Sequence, residues 1–266
     1  MVALLVGPQR PLWAVHDGGH EPAPKRHYGK SARLGGGEVS TYVVLSEQKD
    51  PASGHKAPVE VGVEIPLAVM NSLPSETRIL NLDFPIQARD TAVQFMMLGW
   101  TPHGHEPAGV YDRPHLDFHF YIQDQDEAMA IDPGPCRGVA CDDYWRAVKP
   151  VPPAFLPEEY VDQRMVAPQM GNHLVDPGAP EFHGAPFTRT FIYGAYDGRI
   201  TFFEPMITTA SLMATPHECT PVKLPRSYDE TAYHPTKYCT VLDNDNQSIR
   251  VFLGGFVYRQ APSGSH

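Results

Sequence analysis

Proline and glycine interrupt this chain too often for long helices to run through it. With 28 prolines and 22 glycines in 266 residues, turns recur throughout, because proline lacks a backbone donor and glycine tolerates chain reversal. Between the turns the apolar residues fall in short β-branched or aromatic runs. Ser40-Thr41-Tyr42-Val43-Val44-Leu45 and Val59-Glu60-Val61-Gly62-Val63-Glu64-Ile65 read as two strands of a hairpin or meander, the second alternating as a half-buried strand does. Residues 91–98 form a more continuously apolar run, read as a central strand ending at Gly99-Trp100. Tyr196-Asp197-Gly198-Arg199 carries the Asp-Gly signature of a type I′ turn inside a hairpin over 187–207. A last strand pair is expected at 237–242 and 248–258, around Asp243-Asn244-Asp245-Asn246. One or two short helices fit 123–150, and Pro150, Pro152, Pro153 and Pro157 then force an extended surface connection.

The expected fold is mainly β: a single β-rich domain, barrel- or sandwich-like, with long Pro/Gly-rich loops and a few short helices. Residues 1–37, with Pro8, Pro11, Pro22, Pro24 and Gly35-Gly36-Gly37, read as an irregular N-terminal arm, and 38–266 as the domain. A formal net charge of −10 without any Lys/Arg run disfavours nucleic acid and anionic membranes as partners. No run approaches the roughly 20 apolar residues of a membrane span. The apolar start, Met1 to Gly7, lacks the basic residues of a signal peptide. Cys136, Cys141, Cys219 and Cys239 lack paired C-x-x-C spacing; a Cys136–Cys141 bridge and reduced thiols are both compatible with the pattern.

The chemistry concentrates in His115-Leu116-Asp117-Phe118-His119-Phe120-Tyr121-Ile122. On a strand, His115, Asp117, His119 and Tyr121 share one face, and Leu116, Phe118, Phe120 and Ile122 the other. One face is core; the other offers two imidazoles flanking a carboxylate, donors suited to zinc, iron, manganese or copper. His103 and His105 repeat the spacing just upstream, and His173 can add a ligand from another segment. Asp117 can ligate directly or fix a histidine tautomer. The Asp197-Gly198 turn sets a register that places Glu204 beside Phe202, Ile200, Tyr193 and Phe191. A carboxylate on such an apolar face is a candidate general base or ligand, unless it escapes to water before Pro205. No G-x-S-x-G elbow or H-E-x-x-H helix is present, and Pro24 occupies the first glycine position of a phosphate loop ahead of Gly29-Lys30-Ser31. Asn246-Gln247-Ser248 matches a glycosylation sequon.

Four segments carry a family resemblance: Gly104-His105-Glu106-Pro107-Ala108-Gly109-Val110-Tyr111, Pro114 through Tyr121, Met170-Gly171-Asn172-His173 with Asp176-Pro177, and Phe187 through Thr208. In these the chain resembles the bacterial TTHB-type hypothetical proteins, the DUF5602 domain. The resemblance implies a β-rich single domain of unusual architecture, often exported and oligomeric, and implies no particular activity. Leu174 stands where an aromatic residue is expected, and the export signal is missing.

The leading functional expectation is a metal-dependent hydrolase of a small ester or lactone. His105, His115 and His119 hold a divalent ion, zinc first, and Asp117 or Glu204 takes the proton of an activated water. The alternatives are a non-haem iron or copper oxidoreductase built on His115, Asp117 and His173, and a non-catalytic metal-binding stress-response protein.

Overall fold

A computed structural model of the chain describes residues 24–133 and 141–262. In chain order the strands are β1 (Arg26–Leu34), β2 (Gly37–Lys49), β3 (Lys56–Pro66), β4 (Arg78–Asp83), β5 (Phe95–Thr101), β6 (His115–Tyr121), β7 (Val161–Ala167) and β8 (Gly171–Val175). They continue with β9 (Arg189–Tyr196), β10 (Arg199–Thr208), β11 (His217–Pro221), β12 (Ala232–His234), β13 (Lys237–Asp243), β14 (Ser248–Gly254) and β15 (Val257–Arg259). The α-helices are short: α1 (Leu67–Met70), α2 (Gln125–Met129), α3 (Asp142–Ala147) and α4 (Thr209–Ala214). Among the described residues, no helix is long and apolar enough to cross a membrane.

The fold is mainly β, as the turn density implies. A six-stranded sheet runs β1-β2-β3-β14-β13-β11, and a seven-stranded sheet runs β4-β5-β6-β10-β9-β8-β7. Neither closes into a barrel; the two form a sandwich-like pair. Their shared core joins Val43, Val61, Val63 and Val251 of the first sheet to Leu98, Phe118, Phe120 and Phe203 of the second. The alternation of β6 is realised: Leu116, Phe118, Phe120 and Ile122 all enter this core. Every residue of β5 and β6 is nevertheless buried, so the opposite face of these strands is covered too.

Several expectations change in detail. The irregular reading of 1–37 fails over Arg26–Leu34, which pairs with β2 as the edge of the first sheet. Only Leu34 of that strand is fully buried, so it lacks the apolar alternation that betrays a strand; residues 1–23 lie outside the described residues. Gly35, at φ 56°, makes the turn into β2. The central strand starts at Phe95 rather than at 91, because the Thr91 hydroxyl bonds Ala88 O and accepts from the Val93 N–H in a local turn. It also runs through Gly99 to Thr101. The final strand divides at Gly255, whose φ is 65°. Cys219 and Cys239, directly paired between β11 and β13, form a disulfide; the Cys136–Cys141 expectation involves a residue outside the described residues.

The Asp197-Gly198 turn is present, with both φ angles positive (51° and 78°). The register beyond it shifts between Ile200 and Phe202. One extra residue on β10 turns Glu204 to pair with Ile192 rather than Phe191. Ile200, Phe191 and Tyr193 therefore pack toward the shared core, and Glu204 faces away from them, on the side of Phe202.

Phe118 is fully buried between the sheets. Phe118→Ala should cost about 3–5 kcal/mol of unfolding free energy in urea; a loss under about 1 kcal/mol would contradict this packing.

Candidate metal centre

The second face of β6 opens into a cleft of about 580 Å³. Ile79 of β4 and Met165 of β7 both line it, although these strands are opposite edges of the sheet. The seven-stranded sheet thus curls into an open trough, and its floor carries Asp117 and His119 of β6 and Glu204 of β10. His105, from the loop after β5, and His173, from β8, also line it.

Among the described residues, two groups of three donors form there: His105, His115 and Asp117, and His119, His173 and Glu204. Within each group the donor atoms lie within 4.8 Å of one another. His115 Nε2 is 3.0 Å and His105 Nε2 3.8 Å from Asp117 Oδ1. His119 Nε2 is 3.1 Å from Glu204 Oε1, and His173 Nε2 is 3.8 Å from Glu204 Oε2.

The main chain fixes the orientation of every ring. Nδ1 lies 2.7 Å from Glu106 O in His105, 2.6 Å from Arg113 O in His115, 3.2 Å from Met97 O in His119 and 2.9 Å from Met165 O in His173. A carbonyl oxygen only accepts, so each Nδ1 carries the hydrogen and each neutral ring presents its Nε2 lone pair to a carboxylate. Lone pair against lone pair is repulsive; a proton, a cation or a doubly donating water between them relieves it. His115 Nε2, Asp117 Oδ1, His119 Nε2 and Glu204 Oε2 are all buried without a hydrogen bond. The close contacts are thus within reach but misaligned, as donors converging on a third atom would be.

Asp117 is further held by the Thr101 hydroxyl, which donates to its Oδ2 at 3.2 Å. Gly99 pairs with Asp117 across the sheet. A Cβ there would come within 3.0 Å of Asp117 Oδ2, so glycine makes room for the carboxylate inside a strand. Sequence reasoning missed Thr101 and Gly99, because their role depends on a β5–β6 register that local pattern does not reveal.

The charges follow from this packing. Burial disfavours the charged form of His105, but the Asp117 carboxylate beside it prevails and carries its pKa up to about 9. Burial likewise opposes ionisation of Asp117, yet His105 and His115 hold its carboxyl below the usual range. His119 is disfavoured by burial and raised overall by Glu204. His173 is lowered, by burial first, with Glu204 opposing and His119 reinforcing the effect.

The expected residues are thus brought together with one exception and a different grouping. His105, His115 and His119 do not form one set; His105 and His115 join Asp117, whereas His119 joins His173 and Glu204. His103 is exposed and belongs to neither group. Its apparent i, i+2 relation to His105 fails because β5 ends at Thr101 and Gly104, at φ 76°, turns the chain.

In metal-free protein, the raised pKa of His105 stabilises the fold fully below pH 6.5, and that contribution is lost as pH rises through about 9. The depressed pKa of Asp117 acts oppositely, present above 3.8 and lost on further acidification. Asp117→Asn should return the NMR titration of His105 from about 9 toward 6.5; an unmoved titration would show that Asp117 does not control this ring. Comparison with known proteins finds no matching family model, curated protein or solved structure.

Proposed function

We propose that the protein is a metal-dependent hydrolase of a small ester or lactone, with the trough as its active site. The observation that carries this reading is the convergence of four backbone-oriented Nε2 atoms on two buried carboxylates, several of these atoms lacking hydrogen bonds. Each group supplies two histidines and one carboxylate, a donor set of open zinc sites that leave a position for water or substrate. A bound divalent ion, zinc first, would supply Lewis acidity, lowering the pKa of a water and polarising a carbonyl.

The residues divide the remaining work. The main-chain carbonyls hold Nδ1 of each imidazole, which leaves Nε2 to serve as the ligand atom. Thr101 and the flanking rings fix Asp117 in orientation. With the ion held by His105, His115 and Asp117, Glu204, whose Oε2 has no hydrogen bond, would accept the proton of the attacking water. Among the described residues, no serine, cysteine or lysine lines the cleft, which favours direct attack by water over a covalent route. Ile79, Met165, Val166, Met170, Ile192 and Met206 give the cleft an apolar wall, and its volume suits a small ligand.

The same donor set also suits non-haem iron. Against oxygen chemistry, Met165, Met170 and Met206 place oxidisable thioethers in the lining. The Cys219–Cys239 disulfide fits an oxidising, extracytoplasmic compartment. The resemblance to the DUF5602 family supplies no activity, so the reading rests on the geometry.

Zinc-reconstituted protein should hydrolyse members of an aryl-ester and lactone panel, and chelation should abolish the activity. Glu204→Gln should lower kcat by about 100-fold, within the range for loss of a general base. Absence of hydrolysis across the panel in zinc-loaded protein would contradict the proposal.

A further inference from the structure

Among the described residues that line the cleft, Arg164 of β7 is the one Lys or Arg; it also borders the adjoining surface pocket that holds Arg146 and Lys149. It stands at φ 57°, a left-handed conformation uncommon for a residue with a Cβ. The register between β7 and β8 shifts between Asp162 and Met165, so Arg164 projects from a bulge. That bulge is held from beneath. Asp162 Oδ1 accepts the Arg164 N–H at 2.6 Å and the Asn172 side-chain amide at 2.8 Å, and Asn172 is 2 % exposed. The next residue on β7, Met165, offers the carbonyl that orients His173. One short segment therefore orients a metal-ligating candidate and places an arginine at the edge of the same cleft.

The guanidinium is exposed and forms no ion pair with any described residue. Glu106, one of the acids of the cleft, is occupied in its own loop, accepting the Ala108 N–H at 2.8 Å. The buried acids of the lining, Asp117 and Glu204, already face histidines, so Arg164, beside the apolar wall of Met165, Val166 and Met170, is the cation left to receive an anionic group with an apolar stem.

We infer that the cleft selects carboxylate-bearing esters or lactones, with Arg164 as the specificity residue that receives the carboxylate; this rests on the hydrolase reading. The acyl stem lies along Met165, Val166 and Met170, and the scissile carbonyl faces the histidine groups. In the reaction the hydroxyl of water joins the acyl carbon, the acyl–oxygen bond breaks, and the alcohol oxygen ends with the proton. An ester yields a dicarboxylic acid and an alcohol, and a lactone a single hydroxy-dicarboxylic acid, with no oxidant or reductant required.

The test uses zinc-loaded full-length protein and a matched pair of substrates, para-nitrophenyl monoglutarate and para-nitrophenyl valerate. Wild type should favour the monoglutarate by about tenfold in kcat/KM, the scale of one charge-assisted contact. Added salt should shrink the preference, Arg164→Gln should remove it, and Arg164→Lys should keep part of it. Equal rates in wild type, or a preference that survives in Arg164→Gln, would overturn the inference. If neither ester is hydrolysed, the hydrolase reading fails, and calorimetric binding of glutarate decides the anion site separately. Binding lost in Arg164→Gln sustains it, whereas absent or Arg164-independent binding overturns it.

Discussion

Four imidazoles in the trough donate Nδ1–H to main-chain carbonyls, and the rest of the site follows from that constraint. With Nδ1 committed, each ring can turn only its Nε2 toward Asp117 or Glu204. The carboxylates are buried, at 6 % and 2 % exposure, so the electrostatic cost of holding them ionised must be met locally. Protons meet it in part in metal-free protein, as the raised pKa values of His105 and His119 show. A divalent cation would meet it more fully and would compete with those protons, so its affinity should weaken on acidification.

The fold serves this arrangement by separating two faces of one strand. Leu116, Phe118 and Phe120 anchor β6 in the core between the sheets, which makes the positions of His115, Asp117 and His119 on the other face rigid. The curl of the seven-stranded sheet brings its edge strands to the same cleft. Ligand candidates far apart in sequence then meet on one surface, with an apolar wall and Arg164 completing the described lining.

Part of this was legible in the sequence because it is local. The alternation of residues 115–122 shows which side chains share a face, and Asp197-Gly198 marks its hairpin turn. What was not legible depends on pairing between distant segments. The β10 bulge moves Glu204 by one residue relative to β9, and nothing in the turn announces it. That shift places Glu204 beside His119 and His173 rather than among Phe191 and Tyr193. Edge strand β1 was hidden because an edge buries too little to alternate clearly, and His103 was misleading because spacing imitates a strand where the chain turns.

The most direct measurement is metal content by inductively coupled plasma mass spectrometry. It would use protein purified without a metal-affinity tag, as wild type and as the His115→Ala/His119→Ala variant, which removes one ligand from each group. The account predicts near-stoichiometric divalent metal, zinc foremost, in wild type and its loss in the variant, with the variant still folded. Wild-type protein that holds no metal, even after reconstitution, would contradict it.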